Sequence, residues 1–284
     1  MKREFVFILS MVIFGTMAPF VRRVSVTSGE LALYRAILAL LLIGPAVLFS
    51  KQKLPGKQLK KALPLLLLSG AAMGFNWVLL FQAYKYTTVS VATLSYYFAP
   101  VLVAVLCPVL FKEKMKPINW LCFGFSTLGI FLLTGLGDPS QGQSHFIGIG
   151  FGLGAAVLYA SVMLLNKYIR DVPGLQRTFF QFLAAAVVLL PYVGFTGGVT
   201  LHTMNAVGWI CLLVLGLVHT GFTYCLYFSS IKSIPGQKAA ILSYLDPLVA
   251  VVISITVLQE AISPPQIVGG CLILGFTLLN ELKS

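Results

Sequence analysis

Apolar residues in this chain come in long blocks instead of alternating with polar ones. Ten blocks stand out, at 4–22, 29–50, 62–84, 89–111, 118–136, 147–168, 178–196, 207–229, 239–258 and 265–282. Each is close to the roughly 20 residues an α-helix needs to cross about 30 Å of hydrocarbon. Helices satisfy their own backbone hydrogen bonds in lipid. The pattern therefore predicts an all-α polytopic membrane protein with ten transmembrane helices joined by short connections. The opening "MKREFVFILSMVIFGTMAPF" reads as the first span, not a cleaved leader, because no A-x-A-like site follows it.

Charge sets the expected orientation. With the N-terminus placed in the cytoplasm, sixteen of the twenty Lys and Arg fall on the cytoplasmic side. The other side holds Arg22, Arg23, Arg35 and Lys85, and its loops "GDPSQGQSHF" (137–146) and "GGVTLHTMN" (197–205) carry no Lys or Arg. Positive charge accumulates on cytoplasmic loops, so both termini are expected inside. The net charge of +12 is then accounted for by lysines facing an anionic leaflet, and no nucleic-acid partner is expected. Composition agrees: 58% of residues are hydrophobic and only 10% charged. The five cysteines all fall within apolar blocks and form no C-x-x-C pair, so they read as small buried hydrophobes.

The chain is also written twice. At a shift of 147, residues 74–117 align with 221–264 without a gap. Gly74 meets Gly221, Lys85 meets Lys232, Tyr97 meets Tyr244, Pro100 meets Pro247 and Glu113 meets Glu260. A shift of 146 pairs Pro45 with Pro191 and Gly129 with Gly275. Five spans are odd in number, so the second copy enters the membrane from the opposite side. The expected repeats are 1–137 and 147–284, related by a pseudo-two-fold axis in the membrane plane, an arrangement that supports alternating access.

The duplicated block carries a degenerate motif: A-P or D-P inside an apolar helix, a glutamate thirteen residues after the proline, another proline, then a Gly-rich span. Here it reads "FAPVLVAVLCPVLFKE…P" and "LDPLVAVVISITVLQE…P". This resembles the drug/metabolite transporter superfamily, specifically its ten-span EamA-type members. The resemblance implies a secondary transporter in a prokaryotic inner or plasma membrane, exporting small metabolites such as amino acids or related amine-bearing compounds. It also implies a central cavity lined by spans 1–4 and 6–9, with spans 5 and 10 peripheral. The expected partners are a small-molecule solute and the lipid bilayer; monomer and homodimer both stay open. No cofactor is expected, and proton coupling stays open.

Several residues are unusual for a bilayer. Asp246 lies about 10 Å into its span at 1.5 Å per residue, and a carboxylate there should not face lipid. It either serves the solute or holds the bundle together. Pro247 and Pro100 remove a helix hydrogen bond and are expected to kink spans 9 and 4. Arg35 either binds a solute carboxylate, pairs with Asp246 or snorkels to the outer headgroups. His219 is either a proton relay or an interhelical hydrogen-bond partner; Asn76 likewise joins helices or touches solute. Trp77, Tyr97, Tyr224 and Tyr244 sit beside the prolines or on matching faces of spans 3 and 8. They either pack or line an aromatic pocket suited to an ammonium. Glu113 and Glu260 read as caps or loop anchors. An intramembrane enzyme would need a nucleophile–base or metal constellation at depth, yet the sequence holds no H-E-x-x-H or G-x-S-x-G. A channel or a scaffold remains the alternative.

Overall fold

The computed structural model describes residues 3–50, 56–111, 117–133, 142–169, 172–234 and 236–283. Glu113, Lys112, Lys114, Lys116, Lys51, Lys53 and residues 137–141 of loop 137–146 lie outside the described residues. Everything regular among the described residues is helical. The helices are α1 (Arg3–Gly15), α2 (Ala18–Arg22), α3 (Ser28–Leu48), α4 (Gly56–Tyr86), α5 (Val89–Tyr96), α6 (Ala99–Phe111) and α7 (Pro117–Leu133). There follow α8 (Gln143–Tyr168), α9 (Gly174–Thr196), α10 (Ala206–Leu213), a π-helical stretch Val214–Phe222, α11 (Thr223–Ser230), α12 (Gly236–Ser243), α13 (Leu245–Thr256) and α14 (Pro264–Lys283).

Among the described residues, seven helical segments are long and apolar enough to cross a membrane: 3–22, 28–48, 58–86, 89–106, 143–168, 174–196 and 206–230. Three more apolar helices, 117–133, 241–256 and 264–280, are shorter. Large apolar side chains such as Leu48, Phe49, Val187, Leu190 and Phe195 point outward. In water such a surface would be an association site; on a bundle of apolar helices it is the lipid-facing side. This is a polytopic membrane protein.

Local signals start the helices. Thr27 and Glu30 form a capping box at α3, Thr88 caps α5, and Asn205 caps α10 through the Gly208 amide at 2.8 Å. Spans 4 and 9 are each broken in two. The breaks fall at Tyr97–Phe98 and at Tyr244, the positions that align at the 147-residue shift. Pro100 and Pro247 do not stand mid-helix, as the kink expectation had it. They occupy the first turn of α6 and α13, where a missing N–H leaves no helix carbonyl orphaned.

Small residues bring the helices together, as expected where lipid supplies no hydrophobic drive between them. α4 packs along α8 and α9; α3 packs along α9 and the π-helical stretch; α1 packs along α11 and α13; α7 pairs with α14. A Cβ on Gly129 of α7 would lie 2.7 Å from the Gly269 carbonyl oxygen of α14, and one on Gly269 would lie 2.6 Å from the Gly129 oxygen. Only glycine permits this mutual approach.

Polar contacts gather at two opposite ends. At one, Arg22 pairs with Glu260 at 2.6 Å and donates to the Thr87 carbonyl at 2.9 Å. Glu260 also accepts from the Val89 amide at 2.7 Å and from the Ser254 hydroxyl. Gln259 has φ +54°, a left-handed turn rare for a non-glycine. Glu30 accepts from Thr200, and Lys85 donates to the Val26 carbonyl at 3.3 Å. At the other end Lys238 pairs with Glu4 at 2.9 Å, and Arg3 donates to Ser233.

Candidate functional site

A cavity of about 320 Å³ lies between the helices. Its walls come from α1–α5, α8, α9, α11, α12 and α13; α7 and α14 contribute nothing to it. It runs from Tyr84 and Thr93, toward the Arg22–Glu260 end, to Arg177 and Phe228, toward the Lys238–Glu4 end.

Asp246 stands on the wall in the first turn of α13. Its Oδ2 accepts the Tyr97 hydroxyl at 2.6 Å, so the carboxylate of one broken helix meets the tyrosine at the break of the other. A Cβ on Gly15 would lie 2.6 Å from the Asp246 carbonyl oxygen and 2.7 Å from Val249 Cβ. Glycine at that point lets α1 seat against α13 beside the carboxylate.

Arg35 also lines the cavity and is 3% exposed. It neither snorkels to a headgroup nor forms an ion pair with Asp246. Its position deep in α3, among aromatic rings, keeps it from both. Nε donates to Thr220 Oγ1 at 2.5 Å, and the guanidinium lies 4.6 Å from the Trp77 ring centroid and 5.6 Å from that of Phe81. These are cation–π distances. Nη1 is buried without a hydrogen-bond partner among the described residues.

Trp77, Tyr97, Tyr224 and Asn76 line the same cavity. Asn76 Nδ2 donates to the Ala155 carbonyl at 2.6 Å, tying α4 to α8. Tyr224 meets Phe14 edge-on at 5.3 Å. Two candidates stand elsewhere. Tyr244 is buried outside the lining; two positions from Asp246 is about 200° of helical rotation. His219 is buried at the junction of α1, α2 and the π-helical stretch. Nε2 lies 3.1 Å from Thr16 Oγ1, Nδ1 lies 3.3 Å from the Val214 carbonyl, and the ring packs 4.9 Å from that of Phe20. It joins helices and does not face the cavity.

Other lining groups carry weaker sequence signals. Tyr96 stacks on Tyr159 at 5.1 Å. Gln181, the repeat mate of Arg35, donates to Ser69 Oγ and Asn166 Oδ1, both at 2.8 Å. Arg177 reaches the wall at the start of α9; in the sequence it reads only as one more cytoplasmic charge. Among the described residues no three His, Cys, Asp or Glu side chains converge as a metal site. Chemically, the cavity offers one carboxylate, Asp246, two guanidinium groups, Arg35 with a spare N–H donor and Arg177 toward one end, and an aromatic lining.

Apolar helices around such a cavity define a membrane protein with an internal polar site, and comparison with known proteins places it. The EamA-like transporter family model matches the chain over residues 1–135 and again over 146–281. The chain belongs to that family, whose members are transporters, not enzymes. It is 33% identical over 247 residues to the uncharacterized transporter YxxF of Bacillus subtilis (strain 168), covering 87% of this chain and 78% of that protein. It is 28% identical over 278 residues to an uncharacterized transporter of Archaeoglobus fulgidus, covering 97% and 95%. A solved crystal structure shares the fold with a TM-score of 0.66 and 16% identity, over 99% of both chains.

Proposed function

We propose that the protein is a secondary transporter that exports small amine-bearing metabolites, amino acids among them, by alternating access. On this reading it has ten spans, both termini are cytoplasmic, and the halves 1–137 and 147–284 are inverted repeats sharing one site. The observation that carries the reading is Asp246 on the wall of an aromatic cavity bounded by both halves. A charge at that depth costs several kcal/mol unless water or a bound cation compensates. An aromatic lining with a carboxylate suits an ammonium group, and about 320 Å³ is at the small end of ligand sites. The cavity reaches toward the Lys238–Glu4 end, while the Arg22–Glu260 pair closes the other, which corresponds to an inward-facing arrangement. Asp246, Arg35, Tyr97, Trp77, Tyr224 and Asn76 are the proposed solute contacts. The breaks beside Pro100 and Pro247 are the proposed points of bending. Untargeted comparison of metabolites in the medium, with and without expression of this chain, tests the reading. It predicts accumulation of one or more amine-bearing compounds, and an unchanged profile counts against it.

A further inference from the structure

The two halves correspond at two different shifts, and the change falls within one turn of span 8. Gly70 corresponds to Gly216 at 146, and Gly74 to Gly221 at 147. Three residues, "AAM", separate the first pair; four, "LVHT", separate the second. The packing keeps both correspondences. Gly70 abuts Ala184, and Gly216 abuts Leu38, residues related by 146. A Cβ on Gly74 would lie 3.2 Å from Ala185, and one on Gly221 would lie 3.4 Å from Ala39, again residues related by 146. Both helices reach the same two crossing points, one with a residue to spare. α4 does so as continuous α-helix; span 8 takes up the surplus as the π-helical stretch Val214–Phe222. A single inserted residue is how such π turns arise, and they concentrate at functional sites.

The inserted turn has a chemical consequence. Thr220, wholly buried, donates its hydroxyl proton five residues back to the Leu215 carbonyl at 2.8 Å. Its oxygen is left to accept Arg35 Nε at 2.5 Å. That bond and the Trp77 face hold the guanidinium plane, with Nη1 unpartnered on a residue that lines the cavity. At the corresponding crossing of α9 on α4, the uncharged Gln181 of the second repeat occupies the place of Arg35, and α4 has no inserted residue. The charge on α3 and the insertion in span 8 thus meet at one of the two symmetry-related crossings. A buried guanidinium with a spare donor calls for an anion, and its planar fork matches a carboxylate.

We propose that the residue inserted in span 8, acting through Thr220, sets Arg35 as the carboxylate-binding group of the cavity, so that the solutes are zwitterions with both a carboxylate and an ammonium. Thr220 is a positioning residue, and the inference rests on the reading of the cavity as the solute site.

The test uses Trp77 as a reporter. Trp120→Phe and Trp209→Phe leave it the sole tryptophan of the purified full chain. Its emission is titrated with L-phenylalanine, L-methionine, L-leucine and L-threonine, and with the decarboxylated amine of each. The expected result is a response to at least one acid, at an affinity tenfold or more above that of its amine. Thr220→Val should weaken acid binding about tenfold and leave amine binding unchanged, Thr220→Ser should keep the preference, and deletion of Leu217 should copy Thr220→Val. If Thr220→Val fails to fold, Arg35→Gln, which copies its second-repeat mate Gln181, carries the same expectation. No Trp77 response to any acid, equal binding of acid and amine, or a folded Thr220→Val that keeps the preference would overturn the proposal. Acid-selective binding without flux in liposomes would sink transport and keep this inference; flux without acid preference would do the reverse.

Discussion

The Tyr97 hydroxyl donates a 2.6 Å hydrogen bond to Asp246 Oδ2, joining the break in span 4 to the break in span 9. The two residues belong to different halves, so the bond crosses between units that alternating access requires to move. Asp246 is held by Tyr97 and not by Arg35, which separates its charge from the integrity of the bundle. Asp246→Asn keeps an oxygen for Tyr97 and should therefore express and fold as the parent. Flux of amine-bearing solutes should fall at least a hundredfold, because the charge is gone. Tyr97→Phe removes a hydrogen bond to a charged acceptor, worth about 1.5–3 kcal/mol, and should lower flux roughly tenfold. Initial rates in proteoliposomes measure both; parental rates for Asp246→Asn would remove the carboxylate from the mechanism.

Gly15 lets α1 pass the Asp246 carbonyl. A methyl there would sit 2.6 Å from that oxygen, so Gly15→Ala must push α1 off α13. Overpacking of this kind costs about 1–3 kcal/mol. The midpoint of thermal unfolding in detergent should fall for Gly15→Ala. Gly150→Ala, where nothing lies within 4 Å of the new Cβ, should leave it unchanged or slightly raised. Equal midpoints would show that the close approach has no energetic role.

Arg22 and Glu260 pair at 2.6 Å beyond the Tyr84 and Thr93 end of the cavity, with Glu260 also holding the Val89 amide; on the proposed reading this pair closes that end. Exposed ion pairs contribute about 0.2–1 kcal/mol, but this carboxylate is mostly buried and bonded to three groups. Glu260→Gln weakens the closure and favours opening to that side. In a background stripped of native cysteines, Thr93→Cys on the cavity wall should then react several-fold faster with an impermeant maleimide applied outside. An unchanged labelling rate would mean that the pair is not a gate.

Much of the architecture was legible because lipid demands long apolar helices and because the duplicated block leaves Tyr97/Tyr244 and Pro100/Pro247 in register. Asp246 and Arg35 were legible as site candidates, since a charge at membrane depth is costly. Their partners were not. Whether Arg35 meets Asp246 or Thr220 depends on the rotation of span 8, and one inserted residue turns that face by about 100°. The signal was present as the change of shift between Gly70/Gly216 and Gly74/Gly221, which becomes interpretable only once the crossing points are known. His219 drew attention as a titratable group, yet its neighbours Thr16 and Val214 make it a joint between helices.

Orientation has its own check. Cysteines at Ser144 and Thr203 should be labelled from outside intact cells, and one at Lys60 should be labelled only after permeabilisation. Labelling of position 60 from outside would reverse the placement of the termini.

The central claim, carrier-mediated movement of an amine-bearing solute, is tested most directly by counterflow in proteoliposomes. Vesicles are loaded with an unlabelled amino acid drawn from the exported set, and trace labelled amino acid is added outside. The account predicts transient uptake above the equilibrium level that saturates with concentration and is absent in Asp246→Asn. Uptake that follows the gradient without overshoot or saturation would indicate a channel, and no uptake of any amine-bearing compound would contradict the account.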